Sequence, residues 1–260
     1  MLTFIRYLRA TSLEEAYTEA QKKSSVVLGG GMWLRLGKRR IGTAIDLSDL
    51  GLCGVEETED SYRIGAYTTL RDLECHAALN AQYNGVLRES LRAIVGVQFR
   101  NLATVGGSVF GRFGFSDVVT VLLALDASVE LYKAGVVPLE RFCTMGRVND
   151  ILTHVIIPKR SLSVSYYAQR NSATDFPVLN VCAVRSGEQV TVSVGARPAR
   201  AVAYHYTFDG AAGEAERIAN EIAARAVFDS NTRATARYRQ HLCCVLARRA
   251  LDDILKKEEA

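Results

Sequence analysis

Two glycine-rich stretches hold the residues best suited to chemistry in this sequence. One is Val26-Val27-Leu28-Gly29-Gly30-Gly31-Met32-Trp33-Leu34, and the other, well downstream, contains Thr104-Val105-Gly106-Gly107-Ser108. Glycine reaches positive φ at little steric cost and lets a ligand approach bare backbone N–H groups. Successive free amides form a concavity that suits a phosphate or pyrophosphate, and a following helix N-terminus adds its dipole. The first stretch reads as strand, three glycines and helix start. In the second, the Thr104 hydroxyl, the Gly106 and Gly107 amides and the carboxylate of Asp117 could share one phosphate ligand rich in hydroxyls. Each feature also has a plainer reading. A lone triple glycine is a turn, and an acid directly after the N-cap candidate Ser116 simply suits the helix dipole.

Other phosphate sites do not fit. A GxGxxG fingerprint beginning at Gly29 needs glycine where Leu34 stands, and no Gly-Lys-Ser/Thr follows the glycines. The sequence identifies no Ser-His-Asp arrangement, no paired carboxylates and no metal spacing. Cys53, Cys75, Cys143, Cys182, Cys243 and Cys244 form neither CxxC nor a ferredoxin-like run, and read as reduced, mostly buried thiols. Catalytic side chains and metal ligands are therefore not expected. The net charge of +4, from 32 basic and 28 acidic residues, is too mild to point to nucleic acid. The one dense basic stretch, "RATARYRQHLCCVLARRALDDILKK", has a helical rhythm and reads as a solvated or partner-facing helix. The longest apolar run, residues 118–125, is interrupted by Thr120 and too short for a bilayer, and the start lacks a signal-peptide core. No membrane association is expected, and a cytoplasmic location is.

The elements that must position these loops follow from periodicity. With 48% hydrophobic and 23% charged residues in 260, the chain is an ordinary folded protein of one large or two to three small domains. "TSLEEAYTEA" carries a Ser12–Glu15 capping box, with Leu13, Ala16, Tyr17 and Ala20 on one helical face. "SVVL" and "TAIDL" read as strands on either side of the first glycine loop, and "MWLRLG" as one or two helical turns. "YRIGA" begins a second segment, followed by helices over "TTLRDLECHAALN" and "GVLRESLRAIVG". "VQFRNLATVGGSVFGRFGFSD" shows no helical period, "DVVTVLLALDA" is a buried helix, and "SVELY" and "DILTHVIIP" are strands. From about residue 161, "SVSYYAQR", "PVLNVCAV" and "QVTVSVGA" are three strands in a row, followed by two helices. The last of these has Tyr238, Leu242, Val245, Leu246, Ala250 and Ile254 on one face. The expected class is α+β.

Both loops resemble those of the FAD-binding medium subunits of molybdenum hydroxylases, the family of xanthine dehydrogenase, carbon monoxide dehydrogenase and nicotinate dehydrogenase. The second-loop pattern Q-I-R-N-x-G/A-T-I-G-G-N-I…D is matched at Gln98, Arg100, Asn101, Thr104, Gly106, Gly107 and Asp117. The C-terminal Y-R-x-x-L-x-x-V-L-x-R-R-A-L is matched at Tyr238, Arg239, Leu242, Val245, Leu246, Arg248, Arg249, Ala250 and Leu251. The resemblance runs over nearly the whole chain. It implies a PCMH-type fold of two FAD-binding subdomains, residues 1–53 and 54–160, and a small C-terminal domain, residues 161–260, with a three-stranded antiparallel sheet and helices. It implies FAD held by Val27, Leu28, Gly29, Gly30, Gly31, Met32 and Trp33 of the first loop and Thr104, Val105, Gly106, Gly107 and Ser108 of the second. Asp117 would accept from cofactor hydroxyls, and Ile94 and Leu152 would pack nearby. It also implies partner chains: a large molybdenum-cofactor subunit, a small 2Fe-2S subunit, and NAD as a possible acceptor.

The match has departures. Leu28 replaces an alanine, Gly31 a polar residue and Ser108 an Asn or Asp, and the basic residue often found near the flavin has Arg170 as its only candidate, in uncertain register. Two alternatives remain beside the electron-transfer subunit. One is a stand-alone flavin oxidoreductase of the wider fold, although no histidine lies close to the first loop to attach FAD as many oxidases of that fold do. The other is a flavin-free assembly subunit with degenerate loops.

Overall fold

The computed structural model describes residues 2–259. Strand β1 (Thr3–Arg9), helix α1 (Leu13–Ala20), β2 (Ser25–Val27) and β3 (Arg40–Asp46) make a three-stranded, all-parallel sheet in the order β1-β3-β2. Ser12 caps α1, its hydroxyl accepting from the Glu15 N–H at 3.1 Å, and Leu13, Ala16, Tyr17 and Ala20 pack towards Ile45 and Leu47. The first glycine loop joins β2 to β3. Its expected helix is a single 3-10 turn, Leu34–Leu36, stopped at once by Gly37. No helix dipole of useful length therefore points at this loop.

A second unit follows: β4 (Val55–Glu57), β5 (Ser61–Gly65), α2 (Leu70–Cys75), α3 (Ala77–Gln82), α4 (Val86–Leu91), α5 (Val97–Arg100), α6 (Val105–Phe110), α7 (Asp117–Ala124), β6 (Ser128–Leu131), β7 (Gly135–Pro138), α8 (Leu139–Thr144) and β8 (Leu152–Pro158). Its strands form an antiparallel sheet ordered β4-β5-β8-β6-β7. The helix expected over residues 68–80 breaks at His76, whose backbone is extended and whose Nδ1 accepts from the Leu79 N–H at 3.3 Å to start α3. The stretch around the second glycine loop, expected to be irregular, contains α5 and α6. Two glycines among the six residues of α6 hide its period.

The C-terminal unit holds β9 (Ser163–Arg170), β10 (Pro177–Ser186), β11 (Gln189–Gly195), β12 (Val202–Thr207), α9 (Glu214–Arg225) and α10 (Ala236–Glu259). Its antiparallel sheet is β12-β11-β10-β9, four strands rather than the three expected. The added strand, "VAYHYT", is β-branched and aromatic, as strands prefer. β10 is buried on both faces. Cys182 and Val184 face the core of the second unit, while Val181 and Ala183 face the core under α9 and α10, the two-residue alternation of a strand. A polar patch also joins these units: the Thr120 hydroxyl of α7 donates to Asn180 Oδ1 at 3.1 Å, and the Ser193 hydroxyl to the Thr120 carbonyl at 2.6 Å.

In α10, Leu242, Leu246, Ala250 and Ile254 are buried, but Tyr238 is exposed. Arg239 is 1% exposed. Its guanidinium donates to the carbonyls of Val178, Asp229 and Ala234 and to Asn231 Oδ1 at 2.7–2.9 Å, so it ties helix to sheet. All six cysteines are free. Cys143, Cys182 and Cys243 are buried, but Cys53 and Cys75 are exposed, contrary to expectation. Burial pushes the Cys143 thiol up to about 11 and the Cys243 thiol up to about 12. Among the described residues, no helix is long and apolar enough to cross a membrane.

Two outcomes follow. Arg239→Met leaves several buried carbonyls without a donor and lowers unfolding stability by about 3 kcal/mol, measurable in urea melts. In native protein at neutral pH, a maleimide labels Cys53 and Cys75 quickly. Cys143 and Cys243 label only after denaturation, because neither the thiolate nor access is available in the fold.

Candidate functional site

The two glycine loops meet backbone to backbone. A Cβ on Gly30 would overlap the carbonyl oxygen of Leu102, and one on Gly29 would lie 2.7 Å from Thr104 Oγ1 and 3.2 Å from the Gly107 Cα. Gly106 is equally confined, since its Cβ would sit 2.7 Å from Ala66. Gly31 is glycine for another reason. Its φ is +68°, in the left-handed region that side chains avoid, and its Cβ would meet nothing within 4 Å.

Donors are distributed unequally between the loops. The Leu28 N–H still belongs to the sheet, donating to the Ile45 carbonyl at 2.7 Å. Beyond it, among the described residues, no acceptor takes the N–H groups of Gly29, Gly30, Gly31, Met32 or Trp33. In the second loop the amides expected to be bare are engaged. Val105 donates to the Thr68 carbonyl at 2.9 Å, Gly106 to the Ala66 carbonyl at 2.8 Å and Gly107 to Thr104 Oγ1 at 3.1 Å. Thr104 is the N-cap of α6, and its own hydroxyl hydrogen has no acceptor among the described residues. The second loop thus supplies closeness, plus one hydroxyl, and the first supplies the amides.

Buried ionic and polar groups hold this arrangement. The Tyr67 hydroxyl donates to the Leu28 carbonyl, accepts from the Leu47 N–H at 3.0 Å and lies 3.3 Å from Asp46 Oδ1. Burial pushes the Tyr67 phenol well above its ordinary value, with the Asp46 charge adding to the effect, so it remains a donor. Burial also pushes the Asp46 carboxyl upward, but hydrogen bonds from Tyr7, Ser48 and Tyr67 outweigh it and hold the group below its usual range. Behind the second loop, Arg100 is 4% exposed and pairs with Glu74 at 2.8 Å while donating to the Ile94 carbonyl at 2.9 Å. Arg100, matched in the second-loop pattern, anchors the loop from behind.

Around the junction is a cleft of about 420 Å³, within the usual range for a small-molecule site. Val27 to Trp33, Thr104, Gly106, Gly107, Ser108 and Leu152 all line it. Val105 is fully buried and lines no part of it. Ile94 and Asp117 line a smaller cavity of about 40 Å³ next door, and Trp33, Ser108 and Phe113 form the wall common to both. The indole of Trp33 is packed among Phe99, Phe113, Phe115 and Phe176, with ring centroids 5.2–6.3 Å away. All three units of the chain contribute to this aromatic cluster, which the sequence reading missed because its members are scattered.

Asp117 is 4% exposed and engaged within the protein. The Tyr166 hydroxyl donates to its Oδ1, as does Asn180 Nδ2 at 2.9 Å. Arg170 Nη2 lies 2.8 Å from the same oxygen as an ion pair, outside hydrogen-bond geometry. Burial, with the Asp117 charge adding to it, pushes the Tyr166 phenol well above its ordinary value. Arg170, whose register was uncertain from sequence, lines the smaller cavity together with Asp117.

The fold and its loops have known counterparts. Residues 3–160, more than half of the chain, match the family model described as FAD binding domain in molybdopterin dehydrogenase. The chain is 27% identical over 206 residues to the nicotine 6-hydroxylase medium subunit of Paenarthrobacter nicotinovorans, covering 74% of this chain and 72% of that one. It is 31% identical over 154 residues to the xanthine dehydrogenase FAD-binding subunit of Escherichia coli O157:H7, covering 55% of this chain and 52% of that one. In structure it is similar to a chain of carbon monoxide dehydrogenase from Hydrogenophaga pseudoflava, with a TM-score of 0.86 at 20% identity over 95% of this chain and 96% of that one. It is also similar to a chain of quinoline 2-oxidoreductase from Pseudomonas putida 86, with a TM-score of 0.84 at 17% identity over 96% of both. At these identities the structural likenesses establish the fold alone. The chain belongs to the family of FAD-binding domains of molybdopterin dehydrogenases, and FAD is its cofactor.

Proposed function

We propose that this chain is the electron-transfer subunit of a multi-subunit molybdenum hydroxylase, with FAD held in the cleft between its two glycine loops. The observation that carries the proposal is the run of unpartnered amides at Gly29 to Trp33, in residues that line a cleft and are held against the second loop where Gly29 meets Gly107 and Gly30 meets Leu102. Such a run binds a pyrophosphate through hydrogen bonds to charged oxygens, which are stronger than those between neutral groups. Leu28 and Gly31 weaken the resemblance only in side chains. Backbone donors do the binding, and these are intact.

The residues present fit the cofactor. Thr104 presents a free hydroxyl hydrogen beside the amides. Leu152, Ala66 and Val27 give the apolar walls that a flat ring requires and that exclude water. Trp33 and its phenylalanines offer further aromatic surface where the cleft adjoins the smaller cavity. Arg170 and Asp117, an ion pair lining the smaller cavity beside Trp33, leave no isolated charge there. When bound, FAD supplies both one-electron and two-electron redox chemistry, which suits transfer from an iron–sulfur partner to a soluble acceptor such as NAD+. In this reading a large molybdenum-cofactor subunit oxidises the substrate and a small 2Fe-2S subunit relays the electrons.

The purified protein is then yellow, with a two-band flavin absorption spectrum and FAD released on denaturation. Gly30→Ala forces the Leu102 carbonyl away and separates the loops, so the variant retains its far-ultraviolet circular dichroism but loses its FAD. Flavin content equal to wild type in that variant contradicts the proposed site. Tyr67→Phe removes the donor to the Leu28 carbonyl, lowers stability by about 1 kcal/mol in urea melts and weakens FAD retention.

A further inference from the structure

The segment that carries the first loop has an unbalanced charge. Residues 20–45 contain no Asp or Glu but hold Lys22, Lys23, Arg35, Lys38, Arg39 and Arg40. Lys22 is paired with Glu19 at 2.7 Å. Arg35, Lys38, Arg39 and Arg40 are exposed, and among the described residues none of them forms an ion pair or a side-chain hydrogen bond. Of these four, Arg39 alone lines the loop cleft, and it is the one cation among the described residues that do. The one anion there is Asp150. Its carboxylate accepts from the N–H groups of Lys133, Ala134 and Ile151 at 2.7–3.2 Å, so its charge is met locally. Arg39 has no such counterpart. Its backbone carbonyl accepts from the Thr3 N–H at 3.4 Å, which ties the residue to the start of β1 just before β3 begins.

We infer that Arg39 is a phosphate-binding residue of this cleft, supplying the full positive charge that the amides lack. The inference rests on the FAD site proposed above. Backbone N–H groups carry only partial charges, the first loop is followed by a single 3-10 turn, and the amides of the second loop are engaged within the protein. A doubly anionic pyrophosphate is therefore incompletely neutralised by the loops, and an exposed guanidinium lining the cleft completes the neutralisation with a planar donor set matched to phosphate oxygens. This also accounts for Gly31. The position can dispense with a polar side chain because the stronger donor comes from Arg39, just before β3.

The test is a calorimetric titration of flavin-free full-length protein with FAD at low and high ionic strength, repeated with ADP, which shares the pyrophosphate but not the ring. Arg39→Gln weakens FAD and ADP alike, by about tenfold at low ionic strength, and flattens the salt dependence of both. Arg39→Lys recovers most of the loss. Arg40→Gln, whose side chain lies outside the cleft, changes affinity by less than about twofold, as expected for an exposed charge. Thermal midpoints of all three variants match wild type, since the side chains bear no ion pair. The inference is overturned if Arg39→Gln titrates like wild type, if Arg40→Gln loses as much, or if FAD is weakened while ADP is not. A wild-type protein that binds no FAD overturns the site itself, which separates that failure from the failure of Arg39 alone.

Discussion

The structure depends on the contact between two backbones with no side chain between them. Gly29 and Gly30 lie so close to Thr104, Gly107 and the Leu102 carbonyl that a methyl group on either would push the loops apart. This contact does two things at once. It joins the parallel sheet of the first unit to the helices of the second, and it keeps residues with unpartnered amides on the lining of the cleft between them. In sheets and helices, buried N–H groups are matched by the pairing that defines the element, as the cost of leaving them unpaired requires. The amides of Gly29 to Trp33 are different because their residues line a cleft, which a ligand or water can enter.

Holding bare amides in place needs rigid support, and most of it comes from buried polar groups of the neighbouring segments. Tyr67 reaches from the second unit to the Leu28 carbonyl. Arg100 and Glu74 brace the second loop from behind. On the far side, Asp117, Tyr166, Asn180 and Arg170 lock α7 to the C-terminal sheet. The aromatic cluster around Trp33 draws residues from all three units, so that the first loop, the segment after α6 and the start of β10 are packed as one body. A buried charge pair tolerates little movement, since separating it leaves an uncompensated charge in a medium of low dielectric. The cleft is thus defined by elements that are costly to shift.

Much of this was legible from residue order. The capped helix α1, the strands on either side of the first loop and the buried helix α7 follow from periodicity and capping, and the loops were recognisable together as a pair. Other features were hidden for physical reasons. Glycine has poor helix propensity, so α6 reads as a loop, although Thr104 is a proper N-cap and gave the signal that could have revealed it. For the same reason the Gly106 and Gly107 amides looked available, whereas Gly106 donates to the Ala66 carbonyl and Gly107 to the hydroxyl of the N-cap Thr104. Gly37 ends the helix expected after the first loop. β12 was overlooked because it stands alone after an arginine-rich turn and gains its stability from pairing with β11. Asp117 gave a correct local signal, an acid in a first helical turn, but its three partners come from β9 and β10 and are invisible to any local pattern.

Trp33 is the only tryptophan in the chain, and it lies on the first loop at the wall between the two cavities. Its emission therefore reports on this cleft alone. The most direct measurement is a fluorescence titration of flavin-free protein with FAD, corrected for absorption by the flavin. The account predicts strong quenching of Trp33 that saturates at one FAD per chain. FAD that binds stoichiometrically while the Trp33 emission stays unchanged would place the cofactor elsewhere and contradict the two-loop cradle.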